Sequence, residues 1–144
     1  MDFRLTTERP LSVAILSDLS DEIGLLQYLL KIAVGPDLQC QQYAVGMLSN
    51  LNLAKTHVIL LDVNFGGRNY IHTLDELASQ HSPLPPCIVL VDQREATGKL
   101  RDALRAGRLG VYDFLFKADL LVSSVCDALQ EAWPHYLASQ SSSH

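Results

Sequence analysis

The sequence has few cysteines and no long apolar run, and each of these absences excludes a class of protein. Its three cysteines, Cys40, Cys87 and Cys126, lie far apart and form no pair at metal-binding spacing. We therefore expect free thiols in a reducing compartment, without a disulfide framework or a cysteine metal site. No run of about 18 apolar residues is present, so the sequence predicts no membrane-spanning helix.

Basic residues are fewer than acidic ones, which argues against nucleic-acid binding. The chain has 11 Lys and Arg against 16 Asp and Glu, a net charge of -5, so no basic face for nucleic acid is expected. Residues 1–10 are polar and carry charges of both signs, unlike a secretory signal peptide. The histidines show no ligand spacing. We predict a cytoplasmic protein that binds neither membrane nor nucleic acid directly.

What the sequence does have is a set of short segments typical of strands. With 144 residues, 48% of them hydrophobic, the chain has the size of one domain with a continuous core. Residues 58–61 form an apolar run that ends at Asp62, which predicts a strand buried on both faces of a parallel sheet. The predicted strands cover residues 11–16, 38–43, 58–62, 87–91 and 110–116, with 38–43 at the edge.

Segments of helical periodicity alternate with these strands. The first predicted helix carries Ile23, Leu26, Leu30 and Ala33 on one face and ends at Gly35-Pro36. The other predicted helices lie within residues 45–53, at 70–80, at 98–106, and in a last segment with Leu121, Val125, Ala128 and Ala132 inward and Pro134 at its end. Such alternation predicts an α/β fold: one doubly wound, mostly parallel five-stranded sheet with helices on both faces. Residues 1–10 are predicted to be an arm, 11–133 the domain, and 134–144 a polar tail or linker.

Charged side chains follow several of the predicted strands at their carboxyl ends. Asp18, Asp62 and Asp92 follow three strands and Lys117 follows the fifth. Because parallel strands present these ends at one edge, the side chains are expected to converge there. Carboxylates with carbonyl oxygens suit Mg²⁺ that keeps part of its water, and an ammonium group could pair with a bound anion such as phosphate.

Two segments resemble the response-regulator receiver domain of two-component signalling. The first is Val58–Asp62 followed two residues later by Asn64; the second, residues 110–117, is similar to the family's Gly-Ala-x-Asp-Tyr-Leu-x-Lys segment. The resemblance covers residues 11–133, nearly the whole chain. It implies the flavodoxin-like receiver fold with the strand order 2-1-3-4-5.

The resemblance also implies roles for individual residues. Asp62 would accept a phosphoryl group from a sensor histidine kinase or a phosphotransfer protein. Mg²⁺ would be held by Asp18, Asp62 and the backbone carbonyl of Asn64, and Lys117 would bind a phosphoryl oxygen. Phe114 would be the switch aromatic, and the fourth helix, fifth strand and last helix would signal to an effector or to a second copy of the chain. The chain would not be an enzyme beyond self-phosphorylation and slow autodephosphorylation.

The sequence departs from the family pattern at several of these positions. Ser17 replaces one acid of the pair after the first strand, Val91 replaces the Thr or Ser that ends the fourth, and Asp92 follows where a small residue is usual. Valine cannot donate a hydrogen bond to a phosphoryl oxygen. Gly66 and Ala118 stand where prolines are usual. These departures indicate an atypical receiver, with a pseudo-receiver that acts as a phosphorylation-independent interaction module as the alternative.

Two readings from other classes are weaker. An aspartate-nucleophile phosphatase of the haloacid dehalogenase type needs a second acid two residues after its nucleophile, where this chain has Asn64, and a cap domain. A flavin-binding flavodoxin needs a Ser/Thr/Gly-rich phosphate loop after the first strand, where residues 17–21 are too acidic. The chain is expected to be a stand-alone receiver or the N-terminal part of a longer regulator.

Overall fold

The computed structural model describes residues 11–35, 38–67, 70–80, 84–91 and 111–130, and the five predicted strands lie within them except for Gly110. The strands are β1 (Ser12–Leu16), β2 (Gln39–Tyr43), β3 (Val58–Asp62), β4 (Cys87–Val91) and β5 (Val111–Phe116). Among the described residues the α-helices are α1 (Ser20–Val34), α2 (Tyr70–Gln80) and α3 (residues 122–130). None of the described helices is long and apolar enough to span a bilayer.

The strands form one parallel sheet with the order β2-β1-β3-β4-β5, as predicted. β3 lies at the centre and all five of its residues are buried. β2 is an edge strand, where Gln39, Gln41 and Gln42 are exposed and Tyr43 is buried. The predicted α/β fold class and strand order are therefore confirmed.

Apolar residues cover both faces of the sheet, which explains the uninterrupted apolar runs of the central strands. Val58 and Leu60 of β3 pack in one core cluster with residues of α1 and α3. Ile59 and Leu61 point to the opposite face and pack in a second cluster with residues of α2. The alternation of side chains along a strand divides the core in this way. Since both faces of β3 are apolar, its polar side chain, Asp62, is found at the carboxyl end of the strand.

The first and third predicted helices agree with the structure. The four residues of the predicted apolar stripe of α1 are all buried. The helix ends at Gly35, whose φ of 106° favours glycine, and whose N–H donates to the carbonyl of Lys31 at 2.9 Å. α2 has the predicted bounds, and Ile71, Leu74 and Leu77 are buried on it.

Two helical predictions are wrong in part. Residues 45–53 do not form an α-helix; they contain a 3-10 helix at Val45–Asn50, and a second short one follows at Leu53–Lys55. The segment is too short to offset helix nucleation, and Gly46 and Asn50 are poor helix formers.

Leu121 is 62% exposed and does not lie on the inner face of the last helix. It immediately precedes α3, where its N–H donates to Ser124 Oγ at 2.9 Å, and Leu120 is buried instead. Val125 and Ala128 are buried as predicted. The predicted arm, fourth helix and tail lie outside the described residues, as do Asp92, Ala132 and Pro134.

Candidate functional site

Asp62 is the last residue of the central strand and is almost fully buried, with 2% of its surface exposed. Its Oδ1 atom accepts a hydrogen bond from the backbone N–H of Asn64 at 3.0 Å and one from Lys117 Nζ at 2.9 Å. A buried carboxylate needs such donors, since burial of an unpaired charge is costly. The predicted proximity of Asp62 and Lys117 is therefore present in the structure.

Lys117 reaches the site from the short 3-10 helix Lys117–Asp119 that directly follows β5. Two strand pairings, β3 with β4 and β4 with β5, set the position of its backbone relative to Asp62. Its ammonium group contacts a second carboxylate as well, Glu22 Oε1, at 3.0 Å. One cation thus bridges two carboxylates.

Glu22 was not predicted to belong to the site. It lies in the first turn of α1, and its side chain is only 8% exposed. Glu22 stands four residues before the buried Leu26 and therefore on the same face of the helix. An acidic residue in phase with the apolar stripe of a helix was the signal that could have found it.

Ser17 fixes the orientation of Glu22. The Ser17 hydroxyl, which is fully buried, donates to Glu22 Oε2 at 2.7 Å and accepts the backbone N–H of Leu19 at 3.1 Å. Leu19 is the residue before α1, so Ser17 also satisfies one of the free N–H groups at the start of the helix. Ser17 thus holds the carboxylate of Glu22 in place by a hydrogen bond.

The electrostatics of the site favour a charged Lys117. Burial alone would lower the pKa of Lys117, but the hydrogen bonds to Asp62 and Glu22 outweigh this effect, and the pKa is raised. Burial raises the pKa of Glu22, against the opposing hydrogen bonds from Ser17 and Lys117. With both acids ionised, two carboxylates and one ammonium leave the cluster with one negative charge.

Asp18 approaches the same edge of the sheet but is exposed. Its Oδ2 atom accepts the backbone N–H of Gly66, in the loop after β3, at 2.8 Å. Gly66 has φ 71°, a left-handed conformation that proline cannot adopt, and proline would also lack the N–H. The glycine at this position therefore serves the contact with Asp18.

For a metal ion at this edge of the sheet, the described residues supply few ligands of their own. Within the described chain, no three acidic, histidine or cysteine side chains come close enough to hold a metal ion. Mg²⁺ is commonly bound by one or two carboxylates and keeps several waters. Asp62 ends β3, Asn64 lies in the turn that follows, and Asp18 follows β1, so these residues would be the oxygen donors for such an ion. The Asn64 carbonyl already accepts the backbone N–H of Gly67 at 2.8 Å. Asp62 already contacts Lys117, so a metal ion would compete with that ammonium group.

The two predicted switch residues differ in how much the structure describes. Val91 is the last residue of β4, is 6% exposed and carries no polar group. Phe114 lies in β5 opposite Val89 of β4. Its side chain lies outside the described part of the structure, so its switch role stays a prediction.

No protein-family model and no curated protein matches the chain. Among solved structures, NtrX from Brucella abortus superimposes with a TM-score of 0.72 at 20% identity, over 92% of this chain and 28% of that one. A response regulator receiver domain from Clostridium thermocellum matches with a TM-score of 0.67 at 17% identity, over 87% and 95% of the two chains.

The receiver domain of nitrogen regulatory protein C matches with a TM-score of 0.66 at 24% identity, over 91% and 99% of the two chains. This chain thus spans less than a third of the NtrX chain but nearly the full length of the two isolated receiver domains. The chain has the receiver fold.

Proposed function

We propose that the chain is a receiver domain of two-component signalling in which Asp62 accepts a phosphoryl group. The observation that carries this proposal is the buried Asp62 at the carboxyl end of the central strand, paired with Lys117 at 2.9 Å. Open α/β sheets place their ligands at this edge. The receiver fold of the matched structures supports the same role.

In the proposed reaction an Asp62 carboxylate oxygen attacks the phosphorus of a phosphohistidine on a sensor kinase or phosphotransfer protein. An oxygen–phosphorus bond forms, the phosphorus–nitrogen bond breaks, and the imidazole nitrogen keeps the electron pair. Lys117 is already hydrogen-bonded to Asp62 and moves to an oxygen of the phosphoryl group. Bound Mg²⁺, held by Asp18, Asp62 and Asn64, would offset the charge on the phosphoryl oxygens.

The output of the domain would pass through the face built by the fourth predicted helix, β5 and the last helix to an effector or a second copy of the chain. Val91 at the end of β4 cannot donate a hydrogen bond to the phosphoryl group. The step that couples phosphorylation to this face is therefore weakened. We expect a smaller rearrangement than a threonine at this position would give.

The alternative function is a pseudo-receiver that binds partners without phosphorylation. Two observations favour it: Val91, and the contact of Lys117 with a second carboxylate, Glu22, at 3.0 Å. An ammonium group shared by two acids has less charge left for an anion that enters the site. In this reading the Glu22–Lys117–Asp62 network is a fixed structural element.

Treatment of the protein with acetyl phosphate and Mg²⁺, followed by intact-protein mass spectrometry, separates the two functions. The receiver function predicts one phosphoryl adduct that Asp62→Asn abolishes. Asp21→Asn removes a neighbouring exposed acid of α1, and as a matched control it should keep the adduct. If no adduct forms on the wild-type protein, or if Asp62→Asn retains it, the interaction-module function replaces the receiver function.

A further inference from the structure

We propose that Glu22 is a positioning residue for Lys117, which it keeps in the site when Asp62 is neutralised. In this role Glu22 takes the place of the acid that is missing at position 17. The consequences for signalling rest on the proposed function, whereas the contacts themselves do not. Glu22 lies in α1, Lys117 directly follows β5, and Ser17 directly follows β1.

The geometry gives Lys117 two carboxylate partners at similar distances. Its Nζ atom lies 2.9 Å from Asp62 Oδ1 and 3.0 Å from Glu22 Oε1, and the side chains of the two acids are 3% and 8% exposed. The attraction between opposite charges that are shielded from water in this way is stronger than between exposed ones. Loss of charge at Asp62 therefore leaves Lys117 a complete ion pair with Glu22.

Ser17 and Glu22 act as a linked pair. The Ser17 hydroxyl donates to Glu22 Oε2 at 2.7 Å. An ionised acid at position 17 would place a second negative charge against that oxygen, and like charges at this distance repel each other. The serine is therefore what allows a carboxylate from α1 to enter the site.

Packing does not explain why the side chain of Glu22 is shielded from water. Its side chain lies on the face of α1 that carries Ile23 and Leu26, where an apolar residue would bury more easily. A carboxylate at this place is costly unless it is paired and hydrogen-bonded. The described partners of Glu22 are Ser17 and Lys117. The ion pair with Lys117 is the interaction that accounts for a carboxylate at this position.

For the proposed function, this arrangement means that a phosphoryl group on Asp62 must compete with Glu22 for the ammonium group. Lys117 would connect the end of β5 to the first turn of α1 before and after phosphorylation. The movement of β5 on phosphorylation would then be small. Val91 is expected to reduce the same rearrangement.

The test follows the Lys117 ammonium group by ¹H–¹⁵N NMR at low temperature, where the signal is visible only if hydrogen bonds slow proton exchange with water. Lys117→Arg assigns the signal. We expect the signal in the wild-type protein and in Asp62→Asn, and its loss in the double variant Asp62→Asn/Glu22→Gln. The matched double variant Asp62→Asn/Asp21→Asn should keep it, because Asp21 is an exposed acid of the same helical turn.

Loss of the signal in Asp62→Asn alone, its survival in the Glu22→Gln double variant, or its absence from the wild-type protein would each overturn the proposal. If a double variant does not fold, a crystal structure of Asp62→Asn decides: Lys117 Nζ must lie within salt-bridge distance of Glu22. None of these readouts requires phosphorylation. Failure of acetyl phosphate to label Asp62 would therefore overturn the proposed function and leave the role of Glu22 standing.

Discussion

Lys117→Met is the substitution whose effect on stability follows most directly from the site. It removes the ammonium group while it keeps a long apolar side chain, and it leaves the carboxylates of Asp62 and Glu22, 3% and 8% exposed, facing each other without a cation. Removal of one partner from a buried ion pair costs about 3–5 kcal/mol of unfolding free energy. Because the Lys117 side chain is itself 16% exposed, we expect a loss of about 3 kcal/mol.

Urea unfolding at pH 7 measures this loss. With a dependence of about 1–3 kcal/mol per molar urea, the midpoint should fall by about 1–3 M. Lys55→Met removes an exposed lysine and should change the free energy of unfolding by less than about 0.5 kcal/mol. A loss for Lys117→Met no larger than for this control would refute the view that the two acids depend on Lys117.

The pH dependence gives a second check on the same variant. Burial already raises the pKa of Glu22 above its ordinary value with Lys117 present, and removal of the ammonium group raises it further. An acid whose pKa is higher in the folded state destabilises the fold fully above that pKa, and the destabilisation shrinks as the pH falls from there to the unfolded-state pKa. The deficit of Lys117→Met should therefore shrink when unfolding is measured at progressively lower pH from 7 towards the ordinary carboxyl range. A deficit that stays constant would contradict this reasoning.

Substitutions at two further positions, Val91 and Gly66, test the surroundings of the site. Val91→Thr supplies the missing donor at the end of β4, so chemical-shift changes on addition of beryllofluoride and Mg²⁺ should exceed those of the wild-type protein. In the double variant Val91→Thr/Asp62→Asn these chemical-shift changes should be absent. Chemical-shift changes of equal size in Val91→Thr and in the wild-type protein would contradict the role of Val91. Gly66→Ala keeps the N–H to Asp18 but places a side chain at φ 71°, and should cost about 1–2 kcal/mol. Gly66→Pro also loses that N–H and should cost more in urea unfolding; an equal cost would show that the Asp18 contact contributes nothing.

The sheet could be predicted from the sequence because its strands carry their own signals. The run at 58–62 is apolar on both faces, and only a central parallel strand buries such a segment completely. The glutamines of β2 marked the edge in the same direct way. The strand order came from the resemblance to receivers, since periodicity does not determine which strands are neighbours.

The spacing of apolar residues was a less reliable guide to where a helix begins and to which type of helix forms. Leu121 fits the spacing of the last helix, but the hydrogen bond between its N–H and Ser124 Oγ places it immediately before the helix and exposed. The segment at 45–53 has leucines at helical spacing, yet it is too short to form an α-helix of its own.

The site was predictable at the strand ends but not on the helix. Asp62 and Lys117 stand at the carboxyl ends of β3 and β5, one strand apart on the same sheet edge, so their convergence follows from strand direction. Glu22 lies in the first turn of α1, where an acidic residue is ordinarily explained by the helix dipole. Its approach to Lys117 depends on how α1 packs against the sheet, which the sequence does not show.

The most direct measurement of the proposed function is the fraction of protein that carries a phosphoryl group on residue 62 after incubation with acetyl phosphate and Mg²⁺. Peptide mapping of the intact adduct by mass spectrometry locates the group. A receiver predicts labelling at Asp62 that requires Mg²⁺ and that the Asp62→Asn variant lacks. An unlabelled wild-type protein, or a label at another residue, would contradict it.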